Sequence, residues 1–185
     1  MRIKNLVFIL KSMKSSIYVL AGGNGFGKTT ILKGLSKLGY YTIPEAADIA
    51  IKEAKSNGIE NPWENFFWLE TKIIEKQLES QSKIPEDLEV FMNRSILDNI
   101  AFQNIELKRP LQYAVDNANS IKFDKVFLIE PITNWNKDCS SHTTYEFALK
   151  VHKEIEAVYR NYGYNPIKVP ELTEKKRLRY ILDRL

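Results

Sequence analysis

Between residues 17 and 31 the chain reads IYVLAGGNGFGKTTI: an apolar run, four glycines within six positions, then Lys28 and two threonines. Inside a regular element glycine costs about 0.5–1 kcal/mol relative to alanine, so such a cluster marks positive φ angles or a ligand pressed against bare backbone. The spacing excludes an ordinary hairpin turn, since Gly22, Gly27, Lys28 and Thr29 fit GxxxxGK(S/T). In that motif successive N–H groups point inward and end at a helix N-terminus, which makes a concave anion site with the helix dipole behind it. Gly22, Gly23, Asn24, Gly25, Phe26, Gly27, Lys28, Thr29 and Thr30 are therefore the candidate polyphosphate cradle. Lys28 is placed to reach the β- and γ-phosphates, and the Thr29 hydroxyl to ligate Mg2+.

The context agrees with the motif. Residues 17–20 are apolar and β-prone, and Ile31, Leu32, Leu35 and Leu38 recur at helical spacing. The same reading along the chain predicts five strands, at 17–21, 40–43, 88–93, 125–130 and 166–169. Between and after them it predicts helices at 28–38, 46–56, 64–80, 95–107, 144–162 and 174–184. Strict alternation of Val/Ile-rich strands with helices implies an α/β fold: a parallel sheet covered on both faces, with ligands at the carboxyl ends of the strands. One domain accounts for all 185 residues, with 1–12 as a possible extra arm and 131–143 as a lid.

Composition narrows the partners. A lone cysteine, Cys139, permits no internal disulfide, and the apolar run at 5–10 is too short for a signal or membrane segment, so a cytoplasmic protein without membrane insertion is expected. The net charge of +4 is uneven: no acid precedes Glu45, whereas 60–89 is acid-rich. The basic face leaves nucleic acid open as a partner, but the aromatic interleaving of a nucleic-acid surface is missing there, and a solvated face beside a phosphate site is favoured.

The remaining chemistry falls at strand ends: Glu45 after the second strand, Asn93 and Arg94 after the third, Glu130 after the fourth. Glu45 is open to two readings, a reactive carboxylate or a helix N-terminal charge. Glu130 either ends a strand before Pro131 or partners Lys28 or a metal. His142 and His152 receive no metal role, because no Cys/His ligand spacing exists in the chain.

On GGNGFGKT, LGYYTIPEAA, VFMNRSILDNIAF, FDKVFLIEP, NYGYNPIKVP and RLRYIL, the chain resembles the small P-loop kinase-like NTPases of the ATPase-like (AAA-type) family that includes the ribosylnicotinamide kinase domain. The resemblance implies a three-layer P-loop fold with strand order 2-3-1-4-5, and ATP or another NTP with Mg2+. By the same resemblance Glu45 is the base for an acceptor hydroxyl, Arg94 a phosphate contact and Asp98 a substrate contact. Thr29, Asn93 and Glu130 become the candidate metal-side groups.

Two departures stand out. Relatives carry Asp-Arg where this chain has Asn93-Arg94, and an amide supplies no negative charge to a cation. Relatives also place arginines in the lid, where ITNWNKDCSSHTTYEF offers only Lys137. Trp135, in the same segment, either anchors the core or stacks on a ring. The leading expectation is a Mg-ATP-dependent kinase acting on a small, nucleoside- or riboside-type hydroxyl compound. A nucleotide-binding switch or partner-binding module with little or no turnover is the alternative, and an RNA-end kinase a weaker one.

Overall fold

The computed structural model describes residues 15–135 and 143–185. The proposed arm at 1–12, and Lys137, Asp138, Cys139 and His142 of the lid, lie outside the described residues. Five parallel strands, β1 (Ser16–Ala21), β2 (Tyr41–Ile43), β3 (Glu89–Asn93), β4 (Lys125–Ile129) and β5 (Ile167–Val169), form one sheet in the order β2-β3-β1-β4-β5. The seven helices among the described residues are α1 (Lys28–Lys37), α2 (Ala46–Ser56), α3 (Phe66–Ser82), α4 (Ile96–Glu106), α5 (Gln112–Asn117), α6 (Tyr145–Asn161) and α7 (Glu174–Leu182).

Side-chain alternation along β1 divides the core in two, as the period of two in a strand requires. Ile17, Val19 and Ala21 pack with residues of α3, α4, α5 and α6 on one face. Tyr18 and Leu20 pack with Ile31, Leu32 and Leu35 of α1 and Ile181 of α7 on the other. Val19, Leu20 and Ala21 are fully enclosed, and burying a Val or Leu side chain contributes about 1.5–3 kcal/mol. The carboxyl end of β1, from which the glycine loop springs, is thus held inside the core.

The structure departs from expectation most at two boundaries and one missed helix. The helix expected from residue 64 begins as a 3-10 turn, Pro62–Asn65, and becomes α-helical only at Phe66, where the Asn65 Oδ1 accepts from Trp68 N at 3.0 Å. Helix α5 is too short to display a period and follows Pro110, so the pattern concealed it. Strand β4 ends at Ile129, although Glu130 N still donates to Val169 O at 3.0 Å.

Candidate active site

The glycines of the loop have two separate causes. Gly22 and Gly25 hold φ at 132° and 75°, a region that side chains strain to enter. Space is denied as well: a Cβ on Gly22 would sit 2.8 Å from Ile129 O, and one on Gly25 would collide with the Trp135 indole. The loop ends in α1, whose N-cap is Gly27 and whose first turn has no side-chain cap, leaving its N–H groups available to an anion. Lys28 lies enclosed beside them, its Nζ donating to Gly23 O at 2.7 Å. Burial, and then the neighbouring Arg94 charge, bring the Lys28 ammonium down to about 7, against the opposing pull of Glu45 and Asp98. A phosphate arriving in the loop supplies the counter-charge that this ammonium lacks.

Beside the loop, β3 runs parallel to β1 with Asn93 level with Leu20, and Arg94 N donates to Leu20 O at 3.0 Å. That register sets Asn93 against Thr29. The Asn93 Nδ2 lies 3.4 Å from both Thr29 Oγ1 and Glu45 Oε2, and its buried Oδ1 has no partner among the described residues. The orientation follows from Glu45, since turning the amide over would face a carbonyl to a carboxylate. These groups fit a hydrated Mg2+, which takes one or two carboxylates and retains several waters. Thr29 offers a hydroxyl, Glu45 a carboxylate, and the unpartnered Asn93 Oδ1 an acceptor for a metal-bound water.

Glu130 does not belong to this group. Its side chain turns toward α6 and β5, with Oε1 3.5 Å from His152 Nε2 and 3.9 Å from Lys168 Nζ. Past the end of β4 it lies on the side of β1 away from β3, where burial keeps His152 toward its neutral form and Lys168 is the charged neighbour. No ion pair or hydrogen bond joins it to Lys28 or Thr29 among the described residues, so its geometry lends the metal-side expectation no support.

Arg94 is the hub. Its Nε approaches Glu45 Oε1 to 2.8 Å, its Nη2 donates to Asn24 Oδ1 at 2.5 Å, its Nη1 is 3.6 Å from Asp98 Oδ1, and its guanidinium stands 4.9 Å from the centre of the Phe102 ring. Asp98 serves this arrangement from behind. It is fully buried, closes a capping box with Ser95, and accepts from Ser95 N at 3.0 Å and the Tyr159 hydroxyl at 2.6 Å. Burial raises its carboxyl above the usual range. Asp98, for which the resemblance implies a substrate contact, lies enclosed beside Arg94 in this structure.

Between α2, α3 and α4 a cavity partly open to solvent adjoins Asn24, Glu45 and Arg94. Trp63, Ile73 and Phe102 give it apolar walls, and Glu70, Gln77 and Asn99 are its other polar lining. Sequence reasoning missed Glu70 and Gln77, because polar residues on an amphipathic helix read as solvated. It also missed His152, whose Nδ1 accepts from Gly23 N at 3.4 Å behind the loop, and Arg177, which donates to Phe26 O, Pro170 O and Glu130 O. The signal for Arg177 was present as the first residue of RLRYIL. Trp135 takes the anchoring role: it packs against the core face that holds Phe26 and lies 5.5 Å from the Tyr145 ring, while its indole covers Gly25 and its Nε1 donates to Asn24 O at 2.9 Å. The Asn24 Nδ2 donates to Thr143 Oγ1 at 3.2 Å, so both flanks of the lid segment meet on one loop residue.

The five-stranded order and the glycine loop ahead of α1 define a small P-loop NTPase of the kinase type. A family model described as an AAA domain matches residues 17–177, and the chain belongs to that family. No curated protein matches the sequence. Among solved structures, the NadR protein in complex with NR superposes with a TM-score of 0.71 at 16% identity, over 91% of this chain and 50% of that one. The chain therefore spans half the length of NadR. Deoxyadenosine kinase from M. mycoides gives a TM-score of 0.63 at 20% identity, over 91% of this chain and 97% of that one. Thymidylate kinase from Ehrlichia chaffeensis gives 0.62 at 16%, over 92% and 98%. At such identities the likeness establishes the fold. No helix of the described residues is long and apolar enough to cross a membrane.

Proposed function

We propose that this domain is a Mg-ATP-dependent kinase that phosphorylates a hydroxyl of a small, nucleoside- or riboside-type molecule. The observation that carries the reading is the cavity beside the phosphate loop, with Glu45 and Arg94 at the junction between them. Nucleoside and nucleotide kinases share its fold.

The γ-phosphate of ATP would lie on the Gly22–Thr30 loop and exchange its oxygens for the Gly23 carbonyl as partner of Lys28. Thr29, Asn93 and Glu45 would hold Mg2+, which neutralises charge on the β- and γ-oxygens. The acceptor hydroxyl gives its proton to Glu45 as its oxygen bonds to the γ-phosphorus. The bond from that phosphorus to the β–γ bridging oxygen breaks, and ADP departs with that oxygen. Arg94, held by Glu45, Asp98 and Asn24, faces the transferring group. Most of the acceleration would come from positioning and electrostatics.

Acceptor-stimulated release of ADP from ATP, measured in a coupled assay over a nucleoside panel, tests this reading. Nucleotide binding with no stimulation by any acceptor would overturn it in favour of a nucleotide-binding switch. That second reading is supported by Asn93, which brings no charge to the metal side.

A further inference from the structure

Helix α3 carries two polar side chains that its own fold does not satisfy. Gln77 is 2% exposed and lines the cavity; its amide makes no hydrogen bond among the described residues, and its Nε2 is sealed from solvent without a partner. Buried amides in native proteins are almost always paired, so an isolated one on a residue that lines a cavity points to a partner that the described residues do not supply. Glu70, 3% exposed, lines the same cavity. Its Oε2 accepts from Gln103 Nε2 at 2.8 Å and Asn99 Nδ2 at 3.4 Å, while its Oε1 has no hydrogen bond. The direction of the Gln103 amide is fixed from its far end, where Oε1 accepts from Leu111 N at 2.9 Å. Its NH2 therefore has to face Glu70, and Glu70 keeps one oxygen for the cavity.

The spacing gives the ligand a shape. Glu70 and Gln77 are two turns apart on one helix face, roughly 10 Å along the axis, with apolar Ile73 between them and Phe102 among the other walls. Arg94 is near enough to Glu70 to pull on its ionisation, so Glu70 marks the end toward the reacting groups and Gln77 the far end. The charge balance gives the ligand a second property. Among the described residues Arg94 is the one cation lining the cavity, and Glu45 and Asp98 already stand against it. An acceptor bearing its own phosphate finds no free cation among the described lining residues.

Resting on the kinase reading above, we propose that Gln77 and Glu70 are the specificity residues for the acceptor. The acceptor is an uncharged, unphosphorylated molecule of nucleoside dimensions, with a flat body lying on Ile73 and a hydrogen-bonding heteroatom edge read by the Gln77 amide.

The test is steady-state kinetics with Mg-ATP and uridine, cytidine, inosine and adenosine, each beside its 5′-monophosphate, on the parent and on Gln77→Leu. The parent should prefer the best nucleoside over its monophosphate by about a hundredfold in kcat/KM. Gln77→Leu should raise the KM for that nucleoside about tenfold and leave the KM for ATP unchanged. It should also collapse the discrimination between uridine and cytidine, which differ only in their donor and acceptor edge and which a purely structural residue would not separate. Leucine fills a similar space without an unpaired amide, so an undiminished melting temperature will show that the variant is folded. An unchanged nucleoside KM with unchanged discrimination, or a parent that prefers monophosphates, overturns the proposal while the kinase reading stands. A parent that binds ATP and turns over none of the panel overturns the kinase reading, and the proposal falls with it.

Discussion

Glu70 offers a sharp physical test, because a buried acid writes its burial into the pH dependence of folding. Enclosure raises its pKa from 4.5 to about 7, against the smaller pulls of Gln103, Asn99 and Arg94 in the other direction. The native state therefore keeps a proton that the unfolded chain gives up near pH 4.5. By linkage, stability falls as pH rises through that window and levels off above the native value. At about 1.4 kcal/mol per unit, the loss between pH 4.5 and about 8 is about 3 kcal/mol.

Glu70→Gln removes the ionisation while retaining an oxygen that accepts from Gln103 Nε2. Urea denaturation followed by tryptophan fluorescence, parent beside variant across this range, isolates the effect, since every other titrating group cancels in the difference. The variant should gain about 3 kcal/mol on the parent from the acid end to the alkaline end. Parallel profiles would refute the reasoning, for they would mean that Glu70 titrates alike in the folded and unfolded chain.

Lys28→Ala should weaken ATP binding about 10- to 100-fold by calorimetry, the worth of a charge-assisted contact to phosphate, and unchanged affinity would remove the phosphate-loop assignment. The free protein should melt no lower, because a desolvated ammonium is lost with it. Glu45→Gln should weaken Mg-ATP binding modestly, through its share of the metal side, and lower acceptor phosphorylation far more, about 10²- to 10⁴-fold; equal turnover would reduce Glu45 to a partner of Arg94. Asn93→Asp should lower the melting temperature in chelator, where a second carboxylate would face Glu45, and Mg2+ with nucleotide should raise it by more than in the parent. An identical Mg2+ response in the two proteins would place the metal elsewhere.

What was legible in the sequence follows from the range of the forces involved. The strand, glycine loop and first helix are set by near neighbours, so GGNGFGKTT sufficed for the cradle and for Lys28. The buried central strands were equally plain, because two covered faces demand continuous apolar runs. Side-chain destinations beyond the strand ends were not. Glu130 follows an apolar strand just as Asn93 ends one, and only the sheet order reveals that one faces β5 while the other faces Thr29. Glu70 sits in the acid-rich stretch that reads as a solvated surface, and its burial depends on α4 bringing Asn99 and Gln103 against it. No local pattern encodes a contact of that separation.

Arg94 shows why donor and acceptor chemistry meet where they do. It holds φ at 69°, a conformation that costs a non-glycine residue about 1–2 kcal/mol, and a strained backbone persists only where its surroundings over-determine it. Here its N–H donates to Leu20 O, two residues before the glycine loop, which lashes the end of β3 to the root of the phosphate cradle. Its guanidinium then reaches Asn24 inside the loop, Glu45 at the head of α2 and Asp98 in α4. The strain at one residue is offset by contacts to three elements, and the same contacts fix the distance between the glycine loop and the cavity beside it. A glycine at this position would relieve the backbone and lose all three, so the left-handed turn is retained for its side chain.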